Sequence, residues 1–537
     1  MPQKNELNSA LSAFSKKEWT TFMVLFTLLV FSTLGILEII NKSFMVNVPS
    51  RGGSIREGLV GTPRFINPIL ASTQTDQDVT TLIYSGLMRK NIDGSITPDL
   101  AEKYEASTDG LNYTFTIRDD ATFHDGTPVT ADDVVFTINS AKDPIIKSVQ
   151  KVNWDGVSVE KVDEKTVVFR LASPYASFLG NTTLGILPMH IWSGSPIELN
   201  EANTNPIGSG PFQINKIDKQ SSGTISSYEL TAFKNFALGE PYIKTLKMNF
   251  YQNEKDMIDA LNGGDLDQIS SITPANALAL SESNYTIKTA ILPRVFGLFF
   301  NQNQNQIFVD KAVTGAINTV IDKDRIIDEV LSGYGVHIDD AIPPNIIAYQ
   351  KIAKAKENTR EEIIEKVQND LAKAGWVKNS NGILEKTTTD SKKKKTTSQI
   401  SFSISTSNAP ELAKAAELIK DDLQKLGMVV DVKTFDVGNL NQNVIRPRKY
   451  DTLLFGQIIN HESDLYAFWH SSQRKDPGLN VAMYANAKVD KILEEAFTTI
   501  DPDTRTKKYL QFEDEVRKDM PAVFLYSPNF IYVVSPK

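Results

Sequence analysis

The sequence predicts an α/β protein carried behind one membrane-spanning helix, and three observations predict it. The composition is that of a globular chain: 41% hydrophobic and 23% charged over 537 residues, with 29 Gly and 24 Pro. That mix excludes collagen-like, wholly disordered and polytopic membrane proteins. The run Trp19–Leu37 holds 19 residues without a charge, the length that carries a helix across a bilayer. From Gly53 onward, short runs of period two alternate with runs of helical period, the order of an α/β body. A chain this long exceeds what one core serves, so two or three domains are expected.

Lys16 and Lys17 precede the apolar run, and Trp19 sits at interface depth. The positive-inside rule then puts residues 1–18 in the cytoplasm as a tail, 19–40 in the membrane as an anchor, and 41–52 outside as a linker. Pro49, Gly52 and Gly53 give the linker its composition. A cleaved signal peptide is the alternative; its apolar core runs about 7–15 residues and ends at a small-residue cleavage site. Glu38-Ile-Ile-Asn-Lys42 offers no such site. The expectation is a single-pass protein of the cell membrane whose soluble body is extracytoplasmic, periplasmic or on the outer surface.

The formal net charge is -8; residues 1–52 carry +2, which leaves the body at -10. An acidic body argues against a nucleic-acid partner. There is no cysteine, which excludes disulfides, thiolate metal sites, a cysteine nucleophile and lipid attachment through an N-terminal cysteine.

Along the body, Tyr113–Ile117 alternates apolar and polar residues as a half-buried strand, between turns at Asp109-Gly110 and Asp125-Gly126-Thr-Pro128. Thr130-Ala-Asp-Asp133 opens a helix continued by Val134, Val135, Ile138 and Ala141; the hydroxyl and acidic side chains suit its N-terminal amides. Leu412, Ala416, Ile419, Leu423 and Leu426 make an apolar helix face over 410–426, closed by Gly427 and followed by a strand from Met428. Val489, Ile492, Leu493 and Ala496 mark another helix, Asp501-Pro502 caps the next, and Ala522–Tyr526 reads as an apolar strand. Lys386–Gln399, with Lys392–Lys395, is low in complexity; it reads as a solvated hairpin tip or as a patch for an anionic partner.

No phosphate loop, dinucleotide fingerprint, H-E-x-x-H or G-x-S-x-G is present. The histidines are His124, His190, His337, His461 and His470, none spaced from another as a helical metal pair. His461-Glu-Ser-Asp464 is the densest metal candidate, and a polar loop accounts for it as well. His124 lies in the turn Phe123–Gly126, where hydrogen bonding across the turn suffices. The expectation is a binding protein rather than an enzyme, with no cofactor, no metal and no catalytic residue.

Several stretches together resemble the family 5 extracellular solute-binding proteins, the peptide/nickel-type binding components of ABC importers. They are Leu82-Ile-Tyr-Ser-Gly-Leu-Met88, Ile96-Thr-Pro-Asp-Leu-Ala-Glu102, Ser107–Arg118 and Phe123-His-Asp-Gly-Thr-Pro-Val-Thr-Ala-Asp-Asp-Val-Val135, the most specific of the set. Asn205-Pro-Ile-Gly-Ser-Gly-Pro-Phe212, Asn301–Asp324, Ala372–Trp376 and Asn480–Asp490 continue it to the end of the chain. The resemblance implies a two-lobed periplasmic-binding-protein-like clamp, class II and of the large type with an extra subdomain in lobe I. Mapped here, the lobe I core takes 53–75, 205–293 and 521–537, the subdomain 76–204, and lobe II 294–520. The chain ends earlier than is usual for the family; a missing closing strand of lobe I and a trimmed chain are the two readings of that.

The resemblance also implies a ligand held between lobes that close by hinge motion, with peptide bonded main chain to main chain. An aspartate that pairs with the peptide ammonium in this family maps onto Asn460, in Tyr450–Asp464; an amide supplies no counter-charge, and Glu462 or Asp464 stands in if the loop is reshaped. Gly456 and Gln457 precede it. An arginine and tyrosine of dipeptide-selective members map onto Thr406 and Asn408, so a longer peptide or another ligand is expected. Arg64, Phe65 and Ser85 of the first lobe, Asn301 and Gln302 at the crossover, and Trp469 complete the candidate set; surface, hinge or core roles are their alternatives. The implied function is capture of oligopeptides and delivery to ABC transporter permease subunits, by a monomer tethered through its N-terminal helix. A peptide sensor or chaperone, a binder of a non-peptide solute, and a hydrolase are the rivals.

Overall fold

The computed structural model describes residues 15–44, 50–92, 94–344, 346, 359–389 and 394–536. Much of the expected cytoplasmic tail, the centre of the linker and Lys392 and Lys393 lie outside the described residues. The chain forms two compact units, 1–52 and 53–537.

Among the described residues, the first unit contains one helix, Lys16–Phe44. It starts at Ser15, whose amide donates to the Glu18 carboxylate at 2.8 Å while its hydroxyl accepts from the Glu18 amide at 3.4 Å. Lys16–Asn41 is long and apolar enough to cross a membrane. Within it Thr20, Thr21, Thr27 and Thr33 donate their hydroxyls to carbonyls one turn back, so these polar groups need no water.

The second unit is built on a mixed sheet of twelve strands among the described residues. Its main path runs Val429–Phe435, Ser401–Ser407, Thr452–Ile458, Arg294–Phe300, Ala522–Val534, Gln268–Ser270, Gly52–Val60, Ile243–Tyr251, Ile225–Ala232, Phe212–Lys219. Ala522–Val534 is the element common to both ends. Val523 pairs with Leu298 and Tyr526 with Phe296, while Tyr532 pairs with Ser270 and Val534 with Gln268. The sequence expectation assigned 521–537 to lobe I alone. In the structure the first half of this strand lies against Arg294–Phe300, and its second half lies against Gln268–Ser270 and Thr286–Ile291.

Separate cores flank the two ends of the sheet. One gathers buried residues from Leu59 to Phe250, including the expected strand, observed as Asn112–Ile117 with Tyr113, Phe115 and Ile117 buried. Phe115 meets Phe169 edge-on at 5.5 Å, and Trp154 and Phe178 close the aromatic cluster. The helix Ala131–Lys142 begins where the Asp133 carboxylate accepts the Thr130 amide and hydroxyl, each at 2.8 Å. At the other end, helix Pro410–Leu426 buries Ala416, Ile419, Leu423 and Leu426 and stops at Gly427, whose φ of +96° suits glycine. Ala487–Thr498 and Pro502–Asp519 cover the opposite face.

His124 does not bond across its own turn. Its Nδ1 accepts the Gly208 amide at 3.2 Å and its Nε2 donates to the Gly210 carbonyl at 3.1 Å, so the ring is neutral and ties the glycine-rich return segment to the subdomain. Burial pushes its pKa down to about 4.

Candidate functional site

Two parallel strands start together and then separate. Ser401–Ser407 and Thr452–Ile458 are in register at Ile404↔Thr452 and Ser405↔Leu453 only. The next link is a side chain: the Thr406 hydroxyl donates to the Leu454 carbonyl at 2.9 Å. On its other edge Thr452–Ile458 pairs with Arg294–Phe300 along its whole length, from Thr452↔Phe300 to Ile458↔Arg294. Among the described residues, no strand pairs with the free edge of 455–458. That edge opens onto a cavity of about 840 Å³ bounded by Ser407 on the diverging strand. It lies beyond the carboxyl ends of parallel strands, where α/β sheets bind ligands.

The cavity walls are mostly apolar: Phe296, Leu412, Leu440, Ile445, Phe455 and Phe468 among them. Leu440–Ile445 is a widened turn, in which the Arg446 amide reaches the Asn441 carbonyl at 3.0 Å and the Lys449 amide the Val444 carbonyl at 2.9 Å. Gly456 is needed for packing: a Cβ there would fall 2.7 Å from the Phe296 ring, which stacks on Tyr526 at 5.0 Å.

Three arginines and one aspartate line the cavity. Arg446 forms a two-point pair with Asp476, at 3.0 and 3.2 Å, and that pairing holds its pKa above the usual arginine value. Arg448 donates to the carbonyls of Ile445, Arg474 and Gly478, at 2.8, 3.0 and 2.6 Å, and so ties down the loop before Leu479. Arg294 is half-buried at the start of its strand; its backbone amide bonds the Leu292 carbonyl at 2.7 Å, and its guanidinium has no hydrogen-bond or ion-pair partner among the described residues. Gln457 is 2% exposed and its amide oxygen has no partner among the described residues.

Of the candidates named from sequence, the structure brings only Gly456 and Gln457 to this cavity. Trp469 is fully buried in the core against Phe299, Phe524, Phe512 and Tyr484, with no exposure to the cavity. Thr406 is buried, its hydroxyl spent on Leu454. Asn408 is exposed, and its amide donates to the Phe435 carbonyl at 2.7 Å. Asn301 is buried and bonds the Arg448 carbonyl at 3.0 Å; Gln302 bonds the Phe308 carbonyl at 3.3 Å. Both hold the crossover together. Asp464 accepts the amides of Asn460 and His461 through Oδ2 at 2.8 and 3.0 Å and so caps its own loop. The Asn460 carbonyl accepts from Lys90 at 3.3 Å, and the neighbouring Ser463 meets the Tyr175 hydroxyl at 3.3 Å. The loop thus bridges the 76–204 region and the second half of the chain.

Arg64 and Phe65 both donate backbone amides to Asp76, at 2.7 and 3.1 Å. Ser85 is buried, and its carbonyl accepts from the Ile186 amide at 2.8 Å. Burial pushes the pKa of Asp99 up to about 6, and the Ser85 hydroxyl opposes that shift. None of these three lines the cavity. The sequence reading missed Arg294, Phe296, the widened turn and the Asp476–Gly478 loop. Arg446-Pro-Arg448, two arginines one residue apart just before the Tyr450 block, was a visible signal of them.

Comparison with known proteins bears on this arrangement. The sequence pattern described as "Bacterial extracellular solute-binding proteins, family 5 Middle" matches residues 95–477. The chain belongs to family 5 of the bacterial extracellular solute-binding proteins. It is 30% identical over 495 residues to the oligopeptide-binding protein AppA of Bacillus subtilis, covering 90% of this chain and 87% of that one. The solved structure of that AppA in complex with a nonapeptide matches with a TM-score of 0.64 at 28% identity, covering 91% of this chain and 95% of AppA. NikZ from Campylobacter jejuni in complex with Ni(L-His) matches with a TM-score of 0.65 at 26% identity, covering 90% and 94%. The fold is therefore the two-lobed α/β clamp of substrate-binding proteins that serve transporters.

Proposed function

We propose that this chain is the peptide-capturing component of an ABC importer, and that the cavity beside 455–458 is the lobe II half of its ligand site. One observation carries the reading: the edge of 455–458 has no strand beside it, and it faces a cavity with space for an extended chain. A peptide laid there would donate to and accept from that edge as an added strand does, whatever its side chains. The apolar walls would take large side chains. Peptide binding by AppA, a relative over nearly the whole chain, supports the same reading.

In this account lobe I is 53–75 and 205–293 with the end of the chain, the subdomain is 76–204, and lobe II is 294–520. The helix Lys16–Phe44 stays in place as a single-pass anchor in the cell membrane. The body acts outside the cytoplasm as a monomer, closes on peptide, and presents a surface to the permease. The chain does no covalent chemistry, and ATP is hydrolysed by another subunit.

The test is native mass spectrometry of the full chain, extracted in mild detergent without denaturation, followed by denaturation and identification of what is released. Peptides of one length class are expected. A single non-peptide species, or an empty protein that no peptide pool stabilises against heat, would overturn the proposal. Loss of peptide uptake on deleting the gene, restored by the full chain, separates importer from sensor.

A further inference from the structure

Resting on the peptide reading, we propose that Arg294 is a specificity-determining residue that selects ligands bearing a carboxylate beside a large apolar side chain. Four charged side chains line the cavity, and three are already engaged. Arg446 and Asp476 neutralise each other, and Arg448 is consumed by three backbone carbonyls. Arg294 alone among these has no partner among the described residues.

Its placement fits the role. Arg294 and Phe296 are two residues apart on one strand, so their side chains leave the sheet on the same face. Arg294 pairs with Ile458, where the open edge of 455–458 ends. A ligand held on that edge with an apolar side chain against Phe296 therefore brings its neighbouring groups to Arg294. A half-buried guanidinium with unused donors gains most from a planar carboxylate, which can take two parallel hydrogen bonds.

Within the cavity the opposite charge has no such receptor: Asp476, the carboxylate among its lining residues, is paired with Arg446, and Glu462 and Asp464 lie outside the lining. The lobe II wall thus reads the negative group of a peptide rather than its ammonium. Either a C-terminal carboxylate or an aspartate or glutamate side chain supplies that chemistry.

The experiment separates those sources. The full chain in detergent is offered equimolar heptapeptides of one apolar-rich sequence in four forms: free C-terminus or C-terminal amide, each with Glu or with Gln at one internal position. Capture is read by native mass spectrometry followed by release and fragmentation of the bound peptide, because the free-acid Gln form and the amidated Glu form have the same mass. Wild type is expected to favour a carboxylate form over its neutral counterpart by about tenfold or more, the scale of one charge-assisted hydrogen-bond pair. Whichever substitution, amidation or Glu to Gln, removes the preference names the source. Arg294→Gln should bring the ratio to about one while still capturing the neutral forms, and Arg294→Glu should reverse it. If wild type takes all four forms equally, or Arg294→Gln keeps the ratio, the selectivity is overturned and peptide capture stands. If wild type captures none of the four, the peptide reading falls and this inference with it.

Discussion

Gly456→Ala probes the cavity wall with the least possible change. The added Cβ would lie 2.7 and 2.8 Å from two ring carbons of Phe296, where ordinary contact begins at 3.4 Å. The ring edge must therefore move by about 0.7 Å, a distance that exceeds the slack of a packed contact. Tyr526 stacks on the ring at 5.0 Å and 15°, so the ring cannot retreat in that direction and must slide into the cavity. Overpacking of this kind costs about 1–3 kcal/mol, and the stiffer unfolded chain returns about 0.5–1 kcal/mol. A net loss of about 1–2 kcal/mol in denaturant melts is expected. Peptide affinity should fall by about tenfold, because the displaced ring occupies ligand space. Phe296→Leu in the same chain should relieve both effects, with a coupling of about 1 kcal/mol in the double-mutant cycle. Additive single effects, or a Gly456→Ala protein that melts and binds as wild type does, would refute the reasoning.

Three further outcomes follow from other parts of the structure. Trp469→Ala should cost about 3–5 kcal/mol in a melt yet leave the peptide Kd of the folded protein within about twofold, since the indole packs on core aromatics and not on the cavity. His124 has a folded pKa of about 4 against about 6.5 unfolded, so the unfolded chain takes the proton first; full stability holds above about pH 6.5, and up to about 3 kcal/mol is lost as the pH falls to about 4. The stability of His124→Gln measured across that window should lack this component. Asp464→Ala removes the acceptor for two loop amides and should cost about 1–3 kcal/mol locally, read as faster amide exchange at 460–464 with a far smaller change in the global melt.

Local structure was legible where one physical rule acted alone. The helix over 410–426 follows from the spacing of Leu412, Ala416, Ile419, Leu423 and Leu426, and its end from a glycine that can take positive φ. The strand at 112–117 follows from period-two burial. The family emerged from short blocks in order, which reflect the whole fold rather than one site. The cavity was far less legible, because its wall is assembled from segments distant in sequence: 294–296, 407–412, 437–448, 455–458, 468 and 476–481.

No periodicity tells that two parallel strands separate after Ser405 and Leu453; Leu440–Ile445 and the 476–481 loop line the space that opens beside them. Residue-by-residue transfer from the family pointed to Asn460 and Thr406. Here the cavity wall along Thr452–Ile458 ends at Ile458, and Thr406 turns its hydroxyl to the neighbouring strand. Trp469 illustrates the ambiguity of a large aromatic beside a binding loop, since the same residue type serves pocket and core alike. Arg294 stood out only once the partners of Arg446 and Arg448 were known.

The central claim, that ligand adds as a strand to the open edge of 455–458, is tested most directly by amide hydrogen exchange of the full chain with and without bound peptide. The account predicts strong protection concentrated in the segment 455–458, with the outer strand Phe212–Lys219 unchanged. Tight binding that leaves 455–458 exchanging as in the free protein would contradict it.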